Sequence, residues 1–208
     1  MVICSLAQLR RIEQHAAQEG LDLMARAGRA AADFAAARLP AGANVLVLAG
    51  PGNNGGDALV AATRLWCQGR AVEVVLPADP ARLPPDAGAA YAAWRAAGGR
   101  ERLTLPAAVP AMVVDGLFGI GLNRPLESGW QAMIDTVNAW QVPVLALDVP
   151  SGLSAATGQP LGRVLQARWT LSFIATPPAL AVGLPCLGEH HECDLGLSAR
   201  WRAQALAA

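Results

Sequence analysis

The rhythm of apolar and polar positions changes at residue 44. Before it, Leu9, Ile12, Ala16, Met24, Ala27, Ala31 and Phe34 recur at helical spacing from Leu6 to Leu39 in an alanine-rich background. Gly20 and Leu21-Asp22 separate two helices, with Asp22 as an N-cap, and Pro40-Ala41-Gly42 closes the region. From Asn44 onward, short apolar runs alternate with helical stretches. Val45 to Ala49 predicts a strand covered on both faces, Ala58 to Gln68 a helix and Ala71 to Leu76 a second strand. Asp86 to Ala97 reads as a helix, a weak segment follows near Leu103, and Ala111 to Val114 is the next clear strand. A helix from Ser128 to Trp140, a strand from Val144 to Leu147 and a strong strand from Trp169 to Ile174 complete the pattern. The remainder is rich in prolines, glycines and loops. Such alternation predicts an α/β fold of Rossmann-like type, a three-layer αβα sandwich with a mostly parallel central sheet and an N-terminal helical arm.

Length and composition narrow this picture. The 208 residues read as a single domain spanning 1–208, with no internal repeat and no linker long enough to split it. An apolar fraction of 53% and a charged fraction of 15% describe a compact globule, and the zero formal net charge gives no reason to expect a nucleic-acid or anionic-membrane partner. No apolar run approaches the ~20 residues of a membrane span, and the charges of Arg10, Arg11 and Glu13 follow the first residues too soon for a signal peptide. All sixteen basic residues are arginines, which excludes a Schiff-base lysine and a Walker-type phosphate lysine within the chain. The four cysteines form no C-x-x-C pair, so a reduced, cytoplasmic setting is the expectation.

Candidate chemistry gathers in three turns. Gly50-Pro51-Gly52-Asn53-Asn54-Gly55-Gly56-Asp57, Asp115-Gly116-Leu117-Phe118-Gly119-Ile120-Gly121-Leu122-Asn123-Arg124-Pro125 and Asp148-Val149-Pro150-Ser151-Gly152 each follow a predicted strand. In a parallel sheet all three lie at the carboxyl edge, where open α/β folds bind ligands. The first turn fits G-x-G-x-x-G and precedes a helix whose free N–H groups favour an anion. A dehydrogenase would add an acidic residue at the end of the second strand, but Glu73 sits mid-strand and Asp79 lies beyond Pro77. In the second turn, Gly119 to Arg124 offers backbone N–H groups and one guanidinium to a phosphate, although an exposed arginine is equally a plain surface charge. Asp148 follows an apolar strand and precedes a rigid proline. A carboxylate there is partly desolvated and suited to general acid–base work, or else accepts local backbone hydrogen bonds. Asn54, Asp115 and Ser151 form an all-oxygen set with one carboxylate, which suits a monovalent cation and not zinc.

Together Gly52-Asn53-Asn54-Gly55-Gly56-Asp57, the stretch Asp115 to Gly121 and Asp148-Val149-Pro150-Ser151-Gly152-Leu153 resemble the YjeF N-terminal domain family, the NAD(P)HX epimerases. The likeness extends to Leu23-Met24-Ala25-Arg26-Ala27-Gly28 and so covers nearly the whole chain. It implies a Rossmann-like fold and interconversion of the R and S forms of hydrated NADH or NADPH, feeding the S form to a dehydratase. It also implies that Asn53, Asn54, Gly55, Gly56, Asp57, Gly119, Ile120, Gly121, Leu122, Asn123, Arg124 and Pro125 contact the hydrate. Asp148 would lie against the nicotinamide ring and exchange a proton there, while Asn54, Asp115 and Ser151 would hold one potassium ion. Members commonly carry a lysine-proline-glycine stretch after the last main strand; here Thr176-Pro177-Pro178-Ala179-Leu180 stands instead, and Ala58 occupies a position where glycine is common.

Two further readings compete with the epimerase: a non-catalytic nucleotide-binding or interaction module, and an NAD-dependent dehydrogenase, which the missing ribose acid disfavours. The dehydratase is expected in a separate chain or domain, and the alanine-rich leading helices are compatible with a homodimer. Cys186-Leu187-Gly188-Glu189-His190-His191-Glu192-Cys193 lacks the spacing of a common zinc module and reads as a turn entering a short final strand.

Overall fold

The computed structural model describes residues 2–207. Two helices lead, α1 (Leu6–Gln18) and α2 (Leu23–Ala36). Ser5 caps the first in a reciprocal capping box with Gln8, and the Asp22 side chain caps the second by accepting from Ala25 N–H. The chain then runs through β1 (Asn44–Ala49), α3 (Asn53–Cys67), β2 (Ala71–Val75), α4 (Pro85–Ala96) and a two-residue β3 (Glu101–Arg102). The second half comprises β4 (Met112–Gly116), α5 (Ser128–Trp140), β5 (Val144–Leu147), β6 (Trp169–Phe173), β7 (Glu189–Cys193) and α6 (Ala199–Ala207).

All seven strands pair in parallel, in the order β3-β2-β1-β4-β5-β6-β7. The chain builds outward from β1 to β3, returns to the other side of β1 at β4, and builds outward again. The strand order therefore reverses between β1 and β4, and a crevice opens at their carboxyl ends. Alternate residues of β1 serve opposite layers. Val45, Val47 and Ala49 pack with α2, α3 and α4, joined by Leu9 and Ile12 of α1. Leu46 and Leu48 pack with Ile134 and Val137 of α5. Burial on both faces is what makes these strands read as continuous apolar runs.

Both ends of the described chain attach to β7. Glu192 Oε2 accepts from Val2 N–H at 2.9 Å and from Thr176 Oγ1 at 2.6 Å, and its Oε1 lies 3.8 Å from Arg202 of α6. Arg202 also donates to the Ile174 carbonyl at the end of β6. Among the described residues, no helix is long and apolar enough to cross a membrane.

Three boundaries differ from expectation. Helix α3 opens at Asn53, five residues before Ala58, so Asn53 to Asp57 form its first turn and a half. Strand β4 runs on through Asp115 and Gly116. Helix α6 occupies part of the segment expected to be loop.

Candidate active site

At the sheet's switch point the turns after β1 and β4 are pressed together. A Cβ at Gly50 would lie 1.7 Å from the Leu117 carbonyl oxygen, and one at Gly55 would lie 2.0 Å from that of Gly50. Only glycine permits this approach, which brings the amino end of α3 against the loop after β4. Gly52 is the N-cap and supplies no side-chain hydrogen bond, so the first-turn N–H groups of α3 have no capping side chain.

Beneath this end of α3, the loop after β5 meets a buried carboxylate of β4. Asp115 sits beside Leu48 of β1 and Ala146 of β5. Its Oδ1 accepts from Ser151 Oγ at 2.7 Å and Leu117 N–H at 3.2 Å, and its Oδ2 accepts from Ser151 N–H at 2.8 Å. Ser151 Oγ in turn accepts from Phe118 N–H at 2.9 Å, so the loops after β4 and β5 are tied to each other. Burial pushes the Asp115 carboxyl up to about 6, and these hydrogen bonds restrain the rise. Asn54 stands nearby: its Nδ2 donates to the Leu147 carbonyl at 3.4 Å, which leaves Oδ1 buried without a partner. A buried oxygen without a donor is a group that a weakly hydrated cation takes as a ligand.

Asp148 has the opposite surroundings. It is the middle residue of a three-residue turn closed by Val149 N–H to the Leu147 carbonyl at 2.8 Å, and its φ is 62°. This is the strained, positive-φ form of the γ-turn. The neighbouring strand ends the same way, with Ile174 at φ 70° under a 2.7 Å bond from Ala175 N–H to the Phe173 carbonyl. A β-branched residue rarely adopts that conformation. Both turns face a cavity of about 600 Å³ lined by α1, α2, α3, α4 and the ends of β5 and β6. That volume is ordinary for a small-molecule site.

The cavity is acidic. Glu13, Asp22, Asp57, Asp86 and Asp148 line it, and no described lining residue is basic. Burial first, then the charge of Glu13, raises the Asp148 carboxyl to about 7, and backbone hydrogen bonding from Phe173 and Ile120 offsets only part of this. Burial followed by Asp148, Glu13 and Asp22 pushes Asp57 well above the usual carboxylate range. A group titrating near neutrality can both donate and accept a proton at working pH. Gly119 separates Asp148 from Asn54: a Cβ there would lie 2.7 Å from Asp148 Oδ2 and 3.0 Å from Asn54 Cγ.

The residues anticipated from sequence thus divide. Asn53, Asp57, Ile120 and Asp148 line the cavity. Gly55 and Gly56 are buried where α3 meets its neighbours, Gly56 against Met24 and Ala87. Gly121, Asn123, Arg124 and Pro125 are exposed and Leu122 is half-buried, outside the cavity wall. Glu73 pairs with Arg102 at 2.8 Å and Asp79 caps a short 3-10 turn, so neither holds a dehydrogenase-type ribose position. In β7, His190 Nε2 lies 2.8 Å from Ser172 Oγ and His191 pairs with Glu189 and packs on Phe34. Sequence reasoning missed Glu13, Asp22 and Asp86 as cavity residues. They come from three different helices, and no motif links them.

Comparison with known proteins places the whole chain beside one family. The family model described as YjeF-related protein N-terminus matches residues 20–179. A Bordetella pertussis protein named NAD(P)H-hydrate epimerase is 61% identical over 212 residues, covering 99% of this chain and 93% of its own. An Achromobacter xylosoxidans protein of the same name is 61% identical over 82% of each chain. A Leishmania major protein named bifunctional NAD(P)H-hydrate repair enzyme is 39% identical over 94% of this chain, which spans 37% of that relative. The crystal structure of yeast ynu0 superposes with a TM-score of 0.85 over 99% of this chain and 93% of its own at 20% identity, a likeness of fold.

Proposed function

This chain belongs to the YjeF-related N-terminal family, and from that premise we infer that it is an NAD(P)H-hydrate epimerase, an isomerase interconverting the R and S forms of hydrated NADH or NADPH. The likeness to proteins of that name along 99% of the chain carries the reading. The reacting carbon is C6 of the reduced ring, which bears the added hydroxyl, and inversion there requires proton exchange at that oxygen.

In the binding mode that follows, the hydrated ring enters the acidic cavity beside Asp148, and the pyrophosphate stays outside it, where the carboxylates would repel it. The first-turn N–H groups of α3 and the loop Gly119 to Arg124 are the groups left to meet the phosphates, and a helix amino end suits that charge. Asn53 and Asp57 contact the substrate from α3, and Ile120 packs against the ring. Asp148, poised near neutrality, gives a proton to the departing or opening hydroxyl and takes one back.

Asn54, Asp115 and Ser151 fit one potassium ion, the unpartnered Asn54 Oδ1 being the observation that favours it. Such an ion would supply positive charge to balance Asp115 and would help hold the loops after β4 and β5 together. The dehydratase that consumes the S form acts as a functional partner, a role consistent with the bifunctional repair enzymes among the relatives.

The test is conversion of purified R hydrate to the S form, measured by coupling to an S-specific dehydratase. We expect acceleration well above the spontaneous rate. Nucleotide binding without acceleration would leave a non-catalytic module of the same fold.

A further inference from the structure

The cavity distinguishes between two ways of inverting C6, and it does so by charge. Opening the ring passes through deprotonation of the C6 hydroxyl, which develops negative charge on that oxygen. Loss of water leaves a positive charge shared between C6 and N1. Every ionisable residue lining the cavity is acidic: Glu13 and Asp22 from the leading helices, Asp57 from α3, Asp86 from α4 and Asp148 at the end of β5. Preorganised carboxylates stabilise a cation and oppose an oxyanion.

The positions are specific as well. Asp57 and Asp148 reach the same space from different walls, one from a helix and one from the sheet edge. Inversion needs the hydroxyl to leave from one face of the ring and water to add to the other. A single carboxyl on one wall serves one face.

Building on the epimerase reading, we propose that this cavity works through a C6 cation, with Asp148 and Asp57 handling protons on opposite faces of the ring and Glu13 offsetting the positive charge. In one direction, protonated Asp148 gives its proton to the C6 hydroxyl and the C6–O bond breaks with its electron pair leaving on water. The N1 lone pair forms the N1=C6 bond. A water molecule then adds to the other face, the N1=C6 electrons return to N1, and Asp57 carboxylate takes the proton released by the adding water. No electrons are gained or lost overall, and the reverse reaction exchanges the two roles. Burial and then the charges of Asp148 and Glu13 disfavour ionisation of Asp57, and a cation lying between these groups relieves the repulsion.

Oxygen tracing tests this. Purified R NADH hydrate is incubated with enzyme in oxygen-18 water, the epimers are separated, and each is weighed by mass spectrometry after subtraction of the uncatalysed reaction. Nearly every inverted molecule is expected to carry solvent oxygen. Inversion with retention of the original oxygen would overturn the proposal in favour of ring opening. In Asp57→Asn, a near-isosteric change started from each epimer in turn, the epimer whose hydroxyl faces Asp148 goes on losing and regaining water while inversion fails, so its ratio of exchange to inversion should rise about tenfold or more. Equal loss of both from either epimer would remove Asp57 from its assigned role. No acceleration of inversion by the unaltered enzyme would overturn the epimerase reading itself, and this proposal with it.

Discussion

Asp115 and Asp148 stand at the ends of adjacent parallel strands, the first buried and the second half-buried on the cavity wall, and both are raised, to about 6 and about 7. Their partners separate them. Asp115 accepts from Ser151 twice and from Leu117 once, and its carboxyl ties two loops together. Asp148 faces a cavity, meets other carboxylates, and is held at a φ of 62° by a strained turn. A buried carboxylate that accepts three hydrogen bonds from its own loops serves structure. One left short of donors and open to a ligand is available for chemistry. Identical residue types one strand apart are thus assigned by what the neighbouring loop delivers.

The contrast breaks most sharply at Asp148. Asp148→Asn should lower the epimerisation rate by about 10²–10⁴-fold, the usual worth of a positioned acid–base group. The same change should stabilise the fold above neutrality. The folded carboxyl keeps its proton up to about pH 7 while the unfolded one releases it near pH 4, so its contribution worsens across that window and stays unfavourable above it. Thermal melts at pH 5 and pH 8 should show the variant gaining on the parent at the higher pH, by about 1–3 kcal/mol. A variant that melts lower than the parent at pH 8 would mean that Asp148 is a structural acceptor like Asp115.

Asp115→Asn should act the other way. An amide turns a donor toward Ser151 N–H or Leu117 N–H, and the expected loss is about 1–3 kcal/mol of stability in denaturant titration. Activity would fall because the loop carrying Ile120 shifts. Gly119→Ala sharpens the comparison at its midpoint. The new methyl presses on Asp148 Oδ2 and Asn54 Cγ, so the turnover rate should drop about 10–100-fold with little change in melting temperature. The smallest effect concerns the cation. Replacing choline chloride by potassium chloride at equal ionic strength should raise the melting temperature of the parent by about 2–4 °C and leave Asn54→Ala unmoved.

Much of this was legible before the structure. Buried strands announce themselves as apolar runs, and helix α5 spans Ser128 to Trp140, the range its periodicity predicts. The three polar turns at one sheet edge followed from strand parallelism alone. Other elements resisted for identifiable reasons. Gly55 and Gly56 each disfavour a helix by about 1 kcal/mol, yet α3 runs through them, and they are glycines because a Cβ at either would strike Gly50 or Met24. Helix α6 buries only Ala205, which leaves no apolar stripe to read. Strand β7, where a turn into a short final strand was expected, carries Glu-His-His-Glu and owes its full length to pairing with β6. The acidic cavity was hidden most completely, since its carboxylates come from α1, α2, α3, α4 and β5 and meet only after folding.

Glu192 gives the chain's two ends a common anchor, and Arg202 passes that anchorage on to the Ile174 carbonyl, at a turn lining the cavity. The region matched by the family model, 20–179, leaves out Glu13, β7 and α6. A fragment cut to that region would carry every recognisable motif and still lack the brace behind one wall of its site. Excision boundaries for expression or domain grafting should therefore follow the hydrogen bonds of Glu192 and Arg202.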